Sequence, residues 1–378
     1  MMVAPTYLDL SELIAHPLRS GIQRVEREAI RHWPGPSALL PCYCDNEGRI
    51  LRLPEKVLDV LCAEHDGTAA AREAESSSLN KLAAAAEPVE LAAIQRLLNL
   101  ELFFVAARAD AHVRLAASGA RVLWYLYDFL PFLRPDLFPQ GTTKHCMHFL
   151  RGLRAAHGVA FLSEQTQRDY WYHIARTAPR DEIGPVLPPG ANSLPLERQT
   201  FSPERCDFVS IGTVEPRKNS DVLLTAFETL WQSGIRARLV VAGRISQDAR
   251  EARVFFERHM HDPNLTVLDQ PSDETLCGVL RQARAVVMPS EAEGFGLPPY
   301  EALYAGIPAI ASVKLPSAAF LTAGAILLER MDPGSISAAV ESLLDDSTAA
   351  QLWAETANVT LPTWQSFGRE LATWAQAG

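Results

Sequence analysis

The chain has 378 residues, more than one hydrophobic core usually supports, so two domains are expected; its 48% hydrophobic and 21% charged content is that of an ordinary globular protein. A formal charge of −10 argues against a nucleic-acid partner, and no stretch approaches the roughly 20 apolar residues of a membrane-spanning helix. Asp9 and Glu12 interrupt the N-terminus, so no secretory signal is read there, and six scattered cysteines have no disulfide-framework density; a cytoplasmic setting is expected.

In chain order, residues 9–24 read as a polar loop ending in Ser20-Gly21-Ile22, and 23–33 as a helix with Val25, Ala29 and Ile30 on its apolar face. Arg19, Arg24, Arg27 and Arg31 surround that helix with positive charge, offset by Glu26 and Glu28. Residues 63–98, rich in Ala, Glu and Ser, read as helical with a soft interior at 75–78, and are expected to form a mobile or variable insertion. A strand is expected over 121–127, ending at Asp128, and another over 159–162, with Ser163 opening a helix. Between 185 and 203, Leu187-Pro-Pro-Gly190 and Leu194-Pro-Leu196 break all periodicity, which sets a domain boundary between 1–194 and 195–360. Beyond it, strands at 207–211, 238–242, 265–268 and 285–288 alternate with helices at 219–232, 248–259 and 273–283, and 307–311 continues the series. Such alternation implies a doubly wound α/β domain with a parallel sheet covered on both faces, which takes ligands beyond the carboxyl ends of its strands.

Two turns at such strand ends carry chemistry. After the apolar run ending at Met288 comes Ser290-Glu-Ala-Glu293-Gly294-Phe295-Gly296-Leu297-Pro298-Pro299-Tyr300-Glu301, a strand end, a glycine turn and a helix start. Gly294 and Gly296 let the backbone bend and come close to a ligand, Pro298 and Pro299 suit a first helical turn, and helix-entrance amides attract anions. Glu293 and Glu301 would repel phosphate and instead suit hydroxyls, so the turn predicts a ligand both phosphorylated and sugar-like. The other turn, Gly212-Thr213-Val214-Glu215-Pro216-Arg217-Lys218-Asn219, sets two adjacent cations at a helix entrance, where the helix dipole already disfavours positive charge. A diphosphate would compensate them through charge-assisted hydrogen bonds.

With these turns the chain resembles the nucleotide-sugar-dependent glycosyltransferases of family 4, which have the two-domain GT-B fold. Glu293-Gly-Phe-Gly-Leu-Pro298 through Glu301-Ala302 looks like that family's paired-glutamate motif, and Gly212-Thr213 through Asn219 like its diphosphate loop. Ser20-Gly-Ile-Gln-Arg-Val25, Tyr127-Asp-Phe-Leu-Pro131, Ser163-Glu-Gln-Thr-Gln167 and Leu187-Pro-Pro-Gly190 extend the likeness over nearly the whole chain. The order of motifs resembles mannosyl-, rhamnosyl- and fucosyltransferases of bacterial surface-polysaccharide (O-antigen type) assembly.

The resemblance implies two Rossmann-like doubly wound parallel-sheet domains facing a central cleft, an acceptor-side domain at 1–194 and a nucleotide-sugar-binding domain at 195–360, with a last helix in 361–378 crossing back to the first. It implies a donor-binding set of Gly21, Gly212, Thr213, Arg217, Lys218, Gly243, Glu293, Gly294, Phe295, Gly296, Leu297 and Glu301. Within it, Arg217 and Lys218 would hold the diphosphate, Glu301 the ribose hydroxyls and Glu293 a hydroxyl of the sugar, while Gly21 would let the N-terminal loop approach the phosphates. Many family members have a histidine after the equivalent N-domain strand, but this chain reads Tyr125-Leu-Tyr127-Asp128 there. Asp128 is favoured over Tyr127 for that role, because a carboxylate accepts a sugar hydroxyl and supports positive charge at the anomeric carbon; its alternative is a plain strand-ending cap. The expected catalytic residues are Asp128, Glu293, Arg217 and Lys218. Family members retain anomeric configuration and most use no metal, and no Asp-x-Asp pair occurs in this sequence to bind one. The expected activity is metal-independent, cofactor-free, retaining transfer of a hexose or deoxyhexose, with GDP-mannose the favoured donor, to a glycan or lipid-linked oligosaccharide. Rhamnosyl, fucosyl or glucosyl transfer from dTDP-, GDP- or UDP-sugars, and a non-catalytic sugar-nucleotide-binding role, stand as alternatives. Room is left for peripheral contact with the cytoplasmic membrane face and for other polysaccharide-assembly enzymes as partners.

Overall fold

The computed structural model describes residues 4–18, 20–34, 39–63, 69–138, 141–177 and 183–377. Arg19 and residues 64–68 of the expected insertion therefore lie outside the described residues. The chain divides into two compact units, Met1–Gly190 with Pro362–Gly378, and Ala191–Leu361.

The first unit begins β1 (Thr6–Asp9), α1 (Ser11–Ala15), α2 (Gly21–Arg31), β2 (Leu39–Cys44), β3 (Ile50–Arg52), α3 (Lys56–Cys62) and α4 (Ala69–Ala83). It goes on through β4 (Glu87–Pro88), β5 (Arg96–Asn99), α5 (Ala106–Ala117), β6 (Arg121–Leu126), α6 (Leu130–Leu133), α7 (Thr142–Arg154), β7 (Gly158–Phe161), α8 (Glu164–His173) and β8 (Ile183–Val186). Its sheet runs β4-β3-β2-β1-β5-β6-β7-β8. The six strands from β2 to β8 in that order are parallel, whereas β3 and β4 join the edge antiparallel. The reason is a hairpin: Gly48, at φ +77° in the left-handed region, donates its N–H to Asp45 O at 3.0 Å and reverses the chain between β2 and β3.

Two expectations for this half are corrected. Residues 9–24 are not one polar loop, because Glu101 accepts the amides of Glu12 at 2.9 Å and Leu13 at 2.7 Å and so stabilises the first turn of α1, while Ser20 caps α2 at the amide of Gln23. Residues 63–98 are not one helical insertion. Helix α4 runs unbroken across 75–78, held by Glu75 to Arg27 at 2.6 Å and by the fully buried Leu79. Residues 96–99 are instead β5, the strand between β1 and β6, with all four side chains buried. Arg96 and Asn99 at its ends mask the strand pattern of Leu97 and Leu98.

The second unit holds β9 (Asp207–Ile211), α9 (Ser220–Gln232), β10 (Arg238–Ala242), α10 (Arg250–Arg258), β11 (Leu265–Leu268), α11 (Asp273–Leu280) and β12 (Ala283–Met288). Then follow α12 (Leu297–Tyr304), β13 (Ala309–Ser312), β14 (Ala325–Leu328), α13 (Pro333–Leu344) and α14 (Asp346–Glu355). The sheet is parallel throughout, in the order β11-β10-β9-β12-β13-β14. Alternate residues along its central strands enter opposite cores. Phe208, Leu239, Val241, Ala285 and Val287 pack with α9, α10 and α13, whereas Val209, Val240 and Val286 pack with α11, α12 and α14. A strand buried on both faces reads as a near-continuous apolar run, as at 239–242 and 285–288, which is why these strands were the plainest in the sequence. The last helix, α15 (Trp364–Gln376), belongs to the first unit and packs on α2.

Candidate functional site

In a parallel sheet all strands end on the same side, and the turns after the neighbouring strands β9 and β12 therefore rise together. Sequence dictates how close the backbone can come here. A Cβ on Gly243, the residue after β10, would stand 2.1 Å from Gly212 O, and one on Gly212 would stand 2.5 Å from Lys218 Nζ. Both positions demand glycine, and the Lys218 ammonium is thereby seated against the Gly212 backbone.

The two turns are sewn together by side chains. Asn219, itself in the left-handed region at φ +51°, donates Nδ2 to Pro289 O at 2.9 Å, and the Glu291 amide donates to Arg217 O at 3.2 Å. Arg217 donates Nη1 to Glu293 Oε2 at 2.7 Å and to Ala292 O at 2.8 Å, and Nη2 to Glu215 Oε1 at 2.7 Å. Lys218 Nζ stands 3.6 Å from Glu293 Oε1, which also accepts from Ser290 Oγ at 2.9 Å. Two carboxylates and two cations thus alternate in a half-buried cluster. Burial works against ionisation of Glu293, but Lys218, Arg217 and Ser290 together outweigh it and hold this carboxyl below the usual range. Burial likewise disfavours the Arg217 charge, and Glu293 and Glu215 reverse that and raise its pKa.

Beyond Glu293 the chain enters α12. Gly296 sits at φ +96°, where a Cβ would meet Ser317 Oγ at 2.7 Å, and no side chain caps this end. Pro298 and Pro299 have no N–H, so the helix entrance presents the amides of Gly296 and Leu297. Gly294 is half-buried ahead of them. The Phe295 ring turns inward against Tyr300 and Phe320, at 5.1 and 5.9 Å, so this residue offers its backbone and not its ring to a ligand. Glu301 is buried within α12, and Thr213 lies half-buried between Gly212 and Val214.

The structure thus brings Gly212, Thr213, Arg217, Lys218, Gly243, Glu293, Gly294, Gly296 and Leu297 to one end of one sheet. Glu215, Ser290 and Asn219 join them, although no role was read for these three in sequence; the alternation of charge in Glu215-Pro-Arg217-Lys218 was the available signal. Gly21 and Asp128 belong to the first unit. Gly21 is the exposed first residue of α2. Asp128, half-buried just beyond β6, accepts the amide of Leu130, the first residue of α6, at 2.9 Å. Tyr127 is buried, and its hydroxyl donates to Leu100 O at 2.7 Å.

Sequence reasoning missed a second charged cluster, beyond β1 and β5 of the first unit. Asp9 Oδ2 receives Arg108 Nε at 2.8 Å and His112 Nε2 at 2.7 Å, and Arg108 Nη2 reaches Glu101 Oε2 at 2.5 Å. Glu26 of α2 is fully buried nearby with neither carboxyl oxygen hydrogen-bonded. Burial, with Glu101 adding to it, pushes the Glu26 carboxyl well above its ordinary value, and burial raises Glu101 to about 7. Where two buried carboxyls share a site, the proton goes to the one with fewer donors aimed at it, which is Glu26.

Among the described residues no group of three or more His, Cys, Asp or Glu is placed to hold a metal ion, and no helix is long and apolar enough to cross a membrane. Residues 196–359 match the family model described as Glycosyl transferases group 1. The serotype-specific mannosyltransferase WbdA of Escherichia coli is 25% identical over 343 residues, which cover 80% of this chain and 38% of that protein. The O-antigen chain mannosyltransferase B of Escherichia coli is 33% identical over 139 residues, 36% of each. The chain spans well under half the length of these curated relatives. Among solved structures, HepE of Anabaena in complex with UDP and glucose superposes with a TM-score of 0.65 at 12% identity over 98% of this chain and 99% of that one. Sucrose-phosphate synthase from Thermosynechococcus elongatus gives 0.64 at 14% identity over 98% of each. These structures establish the fold, which is GT-B.

Proposed function

We propose that this chain acts as a glycosyltransferase of the family 4 type, transferring mannose from GDP-mannose with retention of configuration to a glycan or lipid-linked oligosaccharide of surface-polysaccharide assembly. The observation that carries the reading is the Lys218 ammonium, seated against the Gly212 backbone, 3.6 Å from Glu293 and at the strand ends where a parallel sheet presents its ligands. A diphosphate entering there meets Lys218, Arg217 and the amides of Gly296 and Leu297. The negative charge that develops on the leaving nucleotide diphosphate is neutralised by these fixed groups, without a metal. Glu293 remains ionised beside them and can accept a hydroxyl of the donor sugar. For the first unit we assign the sugar-binding role to Asp128 over Tyr127, since the Tyr127 hydroxyl is committed to Leu100 O and Asp128 is half-buried at a strand end. The choice of mannose is supported by the mannosyltransferases among the relatives. We place the protein in the cytoplasm, where its sugar-nucleotide substrate is made, with peripheral contact to the membrane face that carries lipid-linked acceptors.

Thermal stabilisation by GDP, UDP and dTDP tests the donor. At 100 times its dissociation constant a ligand adds about 2.7 kcal/mol to stability. The expected result is the largest shift with GDP, followed by mannose transfer from GDP-mannose that survives a chelator. Equal shifts for the three nucleotides would remove the GDP assignment, binding without turnover would indicate a sugar-nucleotide-binding protein, and activity lost to chelator and restored by magnesium would overturn the metal-free mechanism.

A further inference from the structure

We propose that Glu215 is a positioning residue of the donor site: with Glu293 it forms a two-carboxylate clamp on Arg217 that fixes the turn after β9 to the turn after β12 and keeps Glu293 available to Lys218. The proposal rests on the diphosphate reading of this site and adds a residue to which no role attaches otherwise.

The argument is one of geometry and charge. A guanidinium is a planar fork, and it is immobilised only when both of its edges are held. At Arg217 the Nη1 edge is held by Glu293 and Ala292 O, and the Nη2 edge by Glu215 at 2.7 Å. Arg217 in turn holds the second turn through its own carbonyl, which receives the Glu291 amide. Removal of Glu215 leaves the Nη2 edge without its carboxylate. The anion within its reach is Glu293, already bonded to the neighbouring Nη1. Rotation of Arg217 into a two-pronged grip on Glu293 draws that carboxylate away from Lys218 Nζ and from Ser290 Oγ, which now share its Oε1. Lys218 then loses the partner that sets its direction. Glu215 therefore acts on the diphosphate site through Arg217, Glu293 and Lys218.

This role makes a prediction that electrostatics alone would reverse. Glu215 is an anion close to a site for anions, so its mere removal should tighten diphosphate binding. A positioning role requires the opposite for Glu215→Ala, and near-normal binding for Glu215→Gln, whose side-chain oxygen still accepts from Nη2. The experiment measures calorimetric affinity for whichever of GDP, UDP or dTDP binds the wild type, with melting temperatures, and follows amide hydrogen exchange of residues 290–294 without ligand. The expected result is roughly 10-fold weaker binding for Glu215→Ala, the scale of one lost charge-assisted hydrogen bond, with Glu215→Gln within about 3-fold of wild type. Exchange in 290–294 should be faster in Glu215→Ala alone. Tighter binding by both variants would identify a bystander charge and overturn the proposal. So would unchanged exchange, or an affinity loss shared equally by both variants. A wild type that binds none of the three nucleotides would instead refute the donor-site reading, while the exchange comparison would still decide whether Glu215 holds the two turns.

Discussion

Lys218 and Glu26 show how differently two ionisable side chains can be set by their surroundings. Lys218 is placed by both turns, since Gly212 of its own leaves room for its ammonium and Glu293 of the other orients it. Charge-assisted hydrogen bonds contribute roughly 1.5–3 kcal/mol each, so Lys218→Ala is expected to weaken nucleotide diphosphate binding by roughly 10- to 100-fold, with the melting temperature of the unliganded protein nearly unchanged. Titration calorimetry and a thermal scan check both halves of that statement. Glu26 is the reverse case, a buried carboxyl with no hydrogen bond to reward ionisation. Its pKa in the folded protein is raised by burial first and by Glu101 second. An acid raised on folding lends stability that is fully present below its unfolded pKa and is lost as pH rises through the folded value. Stability of the wild type is therefore expected to decline from the ordinary carboxylate range upward, and Glu26→Gln, which keeps the shape and never ionises, should flatten that decline. Denaturant midpoints at several pH values measure it; parallel curves for the two proteins would show that Glu26 does not hold its proton.

At the scale of elements, what could be read in advance was decided by burial on both faces. The central strands of the second unit hold unbroken apolar runs at 239–242 and 285–288 because a core lies on each side of their sheet, and their order was plain. The turn at 212–219 was legible for a related reason, since glycine and paired cations stand together at a strand end. The first unit was harder. Strand β1 has only four residues and ends in Asp9, and β5 is bounded by Arg96 and Asn99, so neither has the length or pattern of a strand taken alone. Their charges make sense only in three dimensions, where Arg108 and His112 of α5 meet Asp9 and Arg108 reaches Glu101. Nor could sequence show that Glu215 faces Arg217 or that Phe295 turns inward. Backbone geometry gives the sharpest test at this scale. Gly243→Ala would drive a Cβ into the Gly212 carbonyl at 2.1 Å, a clash between two backbones that no rotamer can relieve. It is expected to cost at least about 2 kcal/mol of stability and to displace the turn that seats Lys218. The control is Gly278→Ala, on exposed helical backbone of α11 with nothing within 4 Å of the new methyl, which is expected to stabilise by about 0.5–1 kcal/mol. Denaturation midpoints for the pair distinguish steric demand from a general intolerance of substitution.

On the scale of the whole molecule the chain's two ends belong to one unit and its middle to another, and this makes the units separable in a particular way. Every strand of the second sheet lies within Ala191–Leu361, as do both cores that cover it and every side chain of the Glu215, Arg217, Lys218 and Glu293 cluster. That segment has the size and the two-sided core of an independent domain. The first unit has no such freedom, because it is completed by α15. Trp364, Phe367 and Leu371 are buried there, Phe367 meets the Tyr125 ring at 5.5 Å, and Gly190 lies so close to Trp364 that a Cβ would stand 2.2 Å from its amide nitrogen. Fully burying a large apolar side chain contributes about 1.5–3 kcal/mol, so losing three removes a large share of the 5–15 kcal/mol by which domains are stable. Two truncations should therefore behave oppositely. Residues 191–361 produced alone are expected to unfold cooperatively and to bind nucleotide diphosphate within a few-fold of the full chain. Residues 1–361, ending just short of α15, are expected to keep a folded second unit while the first loses its native packing, seen as exposure of Trp124 to solvent in fluorescence and rapid proteolysis confined to residues 1–190. Intact packing of the first unit in the 1–361 protein would mean that α15 is dispensable; failure of 191–361 to fold would mean that the middle of the chain depends on its ends.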